Sequence, residues 1–337
     1  MSKKILVTLG PASFSEEVVS RCAAYGVHLF RINLSHTKIE AVAPTIKMIR
    51  SWTDVSICLD SEGAQLRNQE MVNENVYFKK GESVKIHFEA VNGDANNISF
   101  SPNQIARQLV AGDKIKIDFN NASLHVDDIM DDYAMATVIG PGSVGKNKAS
   151  DVERSLDFEA ISKKDKEAIA IGLEHGIRDF ALSFTNCRED VNQMRELCGP
   201  DANIICKIES RLALTNFEDI LEAADEILVD RGDLSRQVPI AKVPFLQRRI
   251  ISIARSRQKP VFVATNLLES MVTKKSPTRA EVNDVVSTLL MGASGLVLAA
   301  ETAIGKYPVE SVDMIATLIE ETEKWTEETK LVEMIDK

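Results

Sequence analysis

Short runs of mostly apolar residues recur eight times along the chain, and apolar and polar residues do not alternate within them. The runs are KILVTLG (4–10), VHLFRINL (27–34), VSICLDS (55–61), RDFALSF (178–184), NIICKIES (203–210), EILVD (226–230), PVFVAT (260–265) and GLVLAA (295–300). A strand that is apolar on both faces belongs in a parallel sheet covered on both sides, because neither face meets water. The pattern therefore predicts eight buried parallel strands.

Segments with helical periodicity lie between most of these strands, with apolar residues spaced three and four positions apart. They include residues 15–26, 163–176, 188–199, 213–224, 243–257 and 279–293. Ser15 and Ser162 stand where N-caps are expected. Eight strands alternating with helices predict a (β/α)8 barrel. An open doubly wound sheet is the alternative, but a dinucleotide-binding glycine fingerprint does not follow the first strand, which favours the barrel.

Residues 68–153 do not follow this alternation of apolar runs and helical segments. Their apolar and polar residues alternate, and Gly, Asn and Asp punctuate them, as in NVYFKKGESVKIHFEA and YAMATVIG. This pattern predicts a small antiparallel β domain inserted after the third barrel strand. The fold class is therefore α/β, a (β/α)8 TIM barrel built from residues 1–67 and 154–337 with the β domain at 68–153. Residues 321–337 have helical spacing and are predicted to form a final helix.

Composition narrows the function classes. The 337 residues are 44% hydrophobic and 27% charged, as in ordinary globular proteins, and the net charge of −10 argues against a general nucleic-acid surface. The five cysteines are odd in number and lack metal-binding spacing, which indicates a reducing compartment. The first apolar run is too short for a signal peptide, and the sequence lacks a stretch of membrane-spanning length. We expect a cytoplasmic protein without nucleic-acid or membrane partners.

Charged and polar residues gather where the predicted strands end, the edge of a barrel that carries function. They are Pro11 after the first strand, Arg31, Asn33, Ser35 and His36 at the second, Asp60, Ser61 and Arg67 at the third, Lys207 and Glu209 at the fifth, Asp230, Arg231, Gly232 and Asp233 at the sixth, Thr265 and Asn266 at the seventh, and Glu301 and Thr302 at the eighth. Any one of these charges alone fits a surface ion pair equally well. Seven strand ends with compatible groups favour a site.

Two kinds of chemistry fit this rim. Glu209 and Asp233 on neighbouring strands suit a hard divalent cation such as Mg²⁺. Arg31, Arg67 and Lys207 suit a phosphoryl group or a substrate carboxylate. The backbone N–H groups that follow the sixth strand offer further donors for a carboxylate.

Eight motifs occur in order along the chain: KILVTLGPAS, FRINLSH, CLDSEG-x-x-L-R, CKIES, ILVDRGDL, VATNLLESM, SPTRAEVNDV and AAETAIGKYP. In their order and spacing, over about residues 3–325, they resemble the pyruvate kinase family. The joint pattern is highly specific. It implies a TIM barrel with an inserted β-barrel lid, Mg²⁺ or Mn²⁺ and K⁺ as cofactors, and phosphoenolpyruvate or pyruvate with ADP or ATP as small-molecule partners. A homodimer through a barrel-to-barrel contact is compatible with it.

The resemblance also implies residue roles. Lys207 and Arg31 correspond to residues that contact the phosphoryl group in transit, and Thr265 with the Gly232–Asp233 backbone corresponds to the binding site of the substrate carboxylate. Glu209 and Asp233 correspond to the Mg²⁺ ligands. The K⁺ positions are Asn33, Ser35, Asp60 and Ser61, and the nucleotide-side positions are Pro11, His36, Arg67 and Lys148. Asp118 corresponds to an acidic residue of the lid.

The sequence departs from the family pattern in three ways. The family continues into a C-terminal effector domain, so we expect a short form without that control or its subunit contact. Ala299 and Ile304 replace a serine of a proposed proton path and a lysine that contacts nucleotide phosphates, although Lys306 lies close in sequence. Gln65 stands where K⁺-dependent members of the family have glutamate and K⁺-independent members have lysine, which leaves the K⁺ requirement open. Ser61 in place of the usual threonine is a mild change.

Three hypotheses follow. The first is a pyruvate kinase-like phosphotransferase that converts phosphoenolpyruvate and ADP to pyruvate and ATP without an effector domain. The second, motivated by Ala299 and Ile304, is a nucleotide-independent, metal-dependent enzyme that acts through a pyruvate enolate, of aldolase or C–C lyase type. The third is a barrel retained as a binding or regulatory module, which does not explain why Lys207, Glu209 and Asp233 occur together.

Overall fold

The structure, a computed structural model, describes residues 3–63, 65–118, 121–154, 156–325 and 328–335. The chain divides into a barrel unit, Met1–Gly63 with Ala160–Lys337, and an insert unit, Ala64–Glu159. The insert expected from the sequence, residues 68–153, lies within this unit, which extends a few residues further at each end. Strands and helices are numbered below along the whole chain.

The barrel unit contains a closed barrel of eight strands, each parallel to its neighbours. They are β1 (Lys4–Thr8), β2 (Val27–Asn33), β3 (Ser56–Asp60), β13 (Asp179–Leu182), β14 (Asn203–Ile208), β15 (Glu226–Asp230), β16 (Val261–Ala264) and β17 (Gly295–Leu298). Each lies within one of the eight predicted runs, and the order around the barrel follows the chain. The predicted TIM barrel is confirmed.

Apolar residues fill both sides of this sheet. Leu6, Leu228 and Phe262 belong to a buried cluster inside the barrel, whereas Ile5 and Val7, on either side of Leu6, belong to a larger cluster between the strands and the helices. Successive side chains of a strand point to opposite faces, so a strand buried on both faces must be apolar at every position. This requirement explains the unbroken apolar runs of the sequence.

Helices cover the outside of the barrel. They are α1 (Glu16–Ala24), α2 (Ile39–Trp52), α4 (Lys163–Glu174), α5 (Arg188–Cys198), α6 (Arg211–Thr215), α7 (Phe217–Ala223), α8 (Arg231–Gln237), α9 (Val243–Ser256), α10 (Arg279–Leu290), α11 (Ala300–Ala303) and α12 (Pro308–Lys324), with 3-10 turns at Ile240–Lys242, Glu269–Val272 and Leu331–Met334. Ser15 and Ser162 cap α1 and α4 as predicted. Among the described residues, helices with the length and apolar character needed to cross a lipid bilayer are absent.

Two helix predictions need correction. The segment 213–224 is not one helix, because Asn216 leaves helical geometry between α6 and α7. The predicted final helix over 321–337 is wrong for the described residues beyond Lys324, since Trp325 is extended and Leu331–Met334 forms a 3-10 turn. Residues 326, 327, 336 and 337 of that prediction lie outside the described residues. The last buried residue of α12 is Leu318, and the apolar residues of the described tail, Leu331, Val332, Met334 and Ile335, are exposed, so burial does not hold that segment as a helix.

The insert unit contains a second closed barrel, of seven strands, and a separate two-stranded sheet. Its elements are β4 (Leu66–Asn68), β5 (Val76–Phe78), β6 (Ser83–His87), β7 (Asn97–Ser101), α3 (Asn103–Ala106), β8 (Lys114–Ile117), β9 (Ala122–Ile129), β10 (Tyr133–Gly140), β11 (Gly142–Val144) and β12 (Ala149–Val152). The pairing is antiparallel as predicted, except that β6 and β7 run parallel. Residues 88–96 carry the chain back along β6 before β7 begins, which a tight hairpin would not do.

Candidate active site

The candidate site lies at the carboxyl ends of the barrel strands. Because all eight strands are parallel, their last residues meet at the same rim. Asp60 ends β3, Asp230 ends β15, and Glu209 follows β14 directly. Lys207 lies beside Leu228 in the β14–β15 register, which brings it next to the end of β15. In the sequence these residues belong to three different strands, and barrel closure brings them together.

Lys207 lies at the centre of this cluster and is buried. Its Nζ is 2.8 Å from Glu209 Oε1, 3.6 Å from Asp60 Oδ1 and 3.8 Å from Asp230 Oδ2, and it donates a hydrogen bond to Ser183 Oγ at 3.1 Å. Burial by itself lowers the pKa of Lys207, but the three carboxylates outweigh it and raise the pKa above the ordinary value. Lys207 is therefore a fixed cation at neutral pH.

Glu209, Asp230 and Asp233 form a compact group of carboxylates. Oxygen atoms of Glu209, Asp230 and Asp233 lie within 4.8 Å of one another. Burial, with the nearby charges of Asp233 and Asp230, raises the pKa of Glu209 to about 8 despite the opposing effect of Lys207. Burial also opposes ionisation of Asp230, yet Lys207 and the Thr265 hydroxyl hold the pKa of Asp230 below its usual range. Carboxylates this crowded suit a hard divalent cation, which would relieve their repulsion.

Neighbouring groups fix the directions of these carboxylates. The backbone N–H of Phe184 donates to Glu209 Oε2 at 2.6 Å, and Phe184 has a positive φ of 51°. Arg236 Nη1 donates to Asp233 Oδ1 at 2.8 Å. These contacts, with that of Lys207 to Glu209 Oε1, orient the side chains of the two predicted Mg²⁺ ligands.

Thr265, directly after β16, adopts a strained backbone. Its φ is +75° and that of Asn266 is +54°, a region that a β-branched residue rarely enters. Arg231 holds this turn: its Nε and Nη2 donate to the Thr265 carbonyl at 3.0 and 2.6 Å, and Nη2 also donates to the Asn266 carbonyl at 3.1 Å. Asp284 Oδ2 in turn lies 2.6 Å from Arg231 Nη1. The charged turn after β15 therefore has a structural task as well as a chemical one.

Glycine at position 232 lets the two turns approach closely. A Cβ on Gly232 would lie 2.8 Å from Thr265 Cγ2, closer than side chains tolerate. Thr265 Oγ1 donates to Asp230 Oδ1 at 2.7 Å, and the Gly232 N–H donates to the same oxygen at 3.1 Å. The ends of β15 and β16 are thereby joined through one carboxylate oxygen.

Arg31 and the predicted K⁺ positions lie on the β2–β3 side. Arg31 is buried, donates from Nε to Thr8 Oγ1 at 2.9 Å and has Nη1 3.1 Å from Asp60 Oδ2. Asn33 is paired with Asp60 in the strand register. Ser61 Oγ accepts the Ser183 N–H at 2.9 Å, and Asn33 Oδ1 accepts the Ser35 N–H at 2.9 Å. Asp60 and Ser61 thus belong to the buried network, and Ser35 lies in a local turn at its edge.

The predicted nucleotide-side residues fall in both units. Pro11 and His36 line an open cavity of about 390 Å³ on the barrel unit, together with Phe14 and other residues. Arg67 and Lys148 belong to the insert unit. There, Arg67 Nη1 donates to the Asn147 carbonyl at 3.0 Å, and Lys148 Nζ lies 3.5 Å from Asp118 Oδ2.

The departures after β17 are visible in the structure. Glu301 is buried and accepts the N–H groups of Leu268 at 3.0 Å and Ala299 at 2.9 Å, so it shapes this turn. The side chain of Ile304 is exposed, as is Lys306. The turn is intact although the hydroxyl and the lysine of the family pattern are missing.

Ser183 is not among the residues identified from the sequence, and the contacts of Arg231 and Asp230 are not predicted from it. Ser183 links Lys207 to Ser61 and lies next to the last residue of the fourth apolar run. Arg231 and Asp230 were recognised as charged strand-end residues, but their contacts with Thr265 depend on side-chain direction. For Ser183 the available signal was its position, equivalent to that of the other strand-end residues.

Comparison with known proteins agrees with this architecture. The family model described as "Pyruvate kinase, barrel domain" matches residues 1–312. The pyruvate kinase of Thermococcus litoralis is 34% identical over 333 residues, 96% of this chain and 70% of that protein. The pyruvate kinases of Thermotoga maritima and Mycobacterium tuberculosis are each 33% identical, covering 98% and 94% of this chain and 73% and 69% of those proteins. The chain belongs to the pyruvate kinase family.

Proposed function

We propose that the protein transfers a phosphoryl group from phosphoenolpyruvate to ADP, giving pyruvate and ATP. Membership of the family supports a phosphotransferase over the nucleotide-independent enolate enzyme, and an enzyme over a binding module. The observation that carries the proposal is Lys207, a buried cation 2.8 Å from Glu209 within a group of carboxylates at the barrel rim. Phosphoryl transfer needs this kind of preorganised charge.

Glu209 and Asp233 are the residues that would hold Mg²⁺ or Mn²⁺. Their oxygens lie within 4.8 Å of each other, and the pKa of Glu209 is raised by burial and by the negative charges of Asp233 and Asp230, which a cation would offset. When bound, the ion neutralises charge on the phosphoryl and enolate oxygens. Arg236 and the Phe184 N–H keep the two carboxylates in place for it.

Lys207 and Arg31 contact the phosphoryl group while it moves. The transition state of such transfers is loose, with negative charge spread over the equatorial oxygens, so fixed cations lower its energy. Lys207 stays protonated because its carboxylate neighbours raise its pKa. The hydrogen bond from Arg31 to Thr8 and its proximity to Asp60 hold the guanidinium in one position. Thr265 and the backbone of Gly232 and Asp233 bind the substrate carboxylate.

The remaining assignments concern the acceptor side and ions. Pro11, His36, Arg67 and Lys148 contact the nucleotide, and Asn33, Ser35, Asp60 and Ser61 bind K⁺. Because Ala299 has no hydroxyl, the enolate takes its proton from water or from a group near Thr265. Cytoplasmic location and a homodimer complete the proposal.

The proposal is tested by ³¹P NMR of the protein with phosphoenolpyruvate, Mg²⁺ and K⁺, with and without ADP. We expect phosphoenolpyruvate to disappear and ATP to appear together, and only when ADP is present. Lys207→Met should slow this conversion at least about a hundredfold, because one preorganised charge at a reacting centre contributes that much. A folded wild-type protein that binds Mg²⁺ but forms no ATP would reject the proposal.

A further inference from the structure

Asp230 accepts hydrogen bonds from two groups that are proposed to bind the substrate carboxylate. Its Oδ1 accepts a hydrogen bond from Thr265 Oγ1 at 2.7 Å and another from the Gly232 N–H at 3.1 Å. These two groups belong to the proposed binding site of the substrate carboxylate. A carboxylate of the protein itself therefore lies where a carboxylate of the substrate is expected.

The two donors cannot fully serve both carboxylates. A threonine hydroxyl has one hydrogen to donate, and so has a backbone N–H. Both are directed at the same oxygen of Asp230, which is 8% exposed. Hydrogen bonds to an ionised acceptor are stronger than those between neutral groups. A substrate carboxylate must compete with this arrangement before it gains the same two bonds.

The displaced carboxylate would keep one favourable contact, because Asp230 Oδ2 already lies 3.8 Å from Lys207 Nζ. The carboxylate oxygens of Glu209 and Asp233 lie within 4.8 Å of those of Asp230, a repulsion that a bound divalent cation would offset. Asp230 thus stands between Thr265 on one side and the cationic centre on the other. Its two oxygens already divide their contacts between these sides.

We propose that Asp230 is a specificity-determining residue that acts as an internal competitor for the substrate carboxylate. This inference rests on the proposed function, since it uses the assignment of Thr265 and Gly232 to substrate binding. A ligand displaces Asp230 only when its other groups also bind Lys207 and Arg31. Ligands with a carboxylate alone are excluded, and the apparent affinity for phosphoenolpyruvate is lowered by the fraction of molecules in which Asp230 is engaged.

The test compares two anions in three proteins. Binding of phosphoenolpyruvate and of inorganic phosphate is measured by calorimetry at saturating Mg²⁺ without ADP, for wild type, Asp230→Ala and Asp230→Asn. Removing a negative charge strengthens the binding of both anions, whereas freeing Thr265 and Gly232 strengthens only the one with a carboxylate. We expect the ratio of the two affinities to rise about tenfold in Asp230→Ala, and less in Asp230→Asn, which keeps an acceptor oxygen.

Two other roles for Asp230 give different results. Asp230 is also the N-cap of α8, and if capping is its sole task the affinity ratio will not change in either variant. If Asp230 is instead a metal ligand, Mn²⁺ titration will show weaker metal binding in Asp230→Ala than in Asp230→Asn, which has the same charge and keeps an oxygen that can bind the ion. Either result overturns the proposal. Should the alanine variant fail to fold, Asp230→Ser retains a capping oxygen without a carboxylate and should also raise the ratio.

The same samples separate this inference from the proposed function. ATP formation on adding ADP to wild type reports the function, and the affinity ratio reports the role of Asp230. A raised ratio in a protein that forms no ATP supports the competitor and rejects the kinase reaction. ATP formation with an unchanged ratio supports the reaction and rejects the competitor.

Discussion

Thr265 keeps a backbone conformation that costs about 1–3 kcal/mol in most settings. The strained conformation is maintained because Arg231 donates three hydrogen bonds to the carbonyls of Thr265 and Asn266, and its guanidinium also donates to the carboxylate of Asp284. In this conformation the Thr265 hydroxyl points at the carboxylate of Asp230. Strain of this kind is typical of residues that must present a side chain at one exact place.

Replacing Arg231 with methionine tests this dependence. The change leaves two carbonyls without their donors, so we expect the free energy of unfolding to fall by about 2–3 kcal/mol and the KM for phosphoenolpyruvate to rise. Asp284→Asn is the matched control, since it keeps the guanidinium and weakens only its support. Denaturant unfolding measures the first quantity and initial rates the second. Equal effects of the two substitutions would contradict a direct role of Arg231 on the turn.

Residue identity in the site was more predictable than residue contact. Lys207, Glu209 and Asp233 are recognisable in the sequence because they lie at or just beyond the ends of apolar runs, and in the structure they form one cluster. The link between Thr265 and Asp230 was not predictable in the same way. It depends on a positive φ and on side-chain rotamers, which a pattern of residue types along the chain does not encode.

Helix starts were the elements most clearly encoded by local sequence. The capping box of α10 is an example: Glu281 accepts from the N–H and hydroxyl of Thr278 at 2.7 and 2.8 Å. It also accepts from the N–H and hydroxyl of Ser270 at 2.7 and 2.6 Å, which ties the segment after β16 to the helix. Helix ends were less predictable, as α6 and α12 show, because tertiary packing decides where apolar contacts stop.

The Glu281 contacts predict a pH dependence of stability. Partial burial acts to raise the pKa of Glu281, but the hydrogen bonds from Ser270 and Thr278 outweigh it and lower the pKa below 4.5. The ionised side chain therefore stabilises the fold fully above about pH 4.5, and this contribution is lost as the pH falls through the lower folded pKa. Glu281→Gln should destabilise at pH 7 by roughly 1 kcal/mol and by less near pH 3. A difference in unfolding free energy that does not change with pH would contradict this account.

At the scale of the whole molecule, the two units carry separate hydrophobic cores. The barrel unit has one cluster inside the strands and one beneath the helices, and the insert unit has a cluster of its own that includes Phe78, Ile86 and Phe100. The change from unbroken to alternating apolar patterns marked this division in the sequence. The parallel β6–β7 pair was not predictable, because strand direction depends on the path of the connection between them.

Separate cores predict separate unfolding transitions. Both tryptophans, Trp52 and Trp325, belong to the barrel unit, so tryptophan fluorescence reports that unit alone, whereas far-ultraviolet circular dichroism reports both. We expect the two signals to follow different denaturant curves, with the insert unit unfolding first because a smaller domain buries a smaller fraction of its surface. Tyr77→Trp, at a position 56% exposed, adds a reporter to the insert unit and should follow the earlier transition. If all three signals coincide, the two cores unfold as one cooperative body, and the units are then stabilised by each other rather than independently.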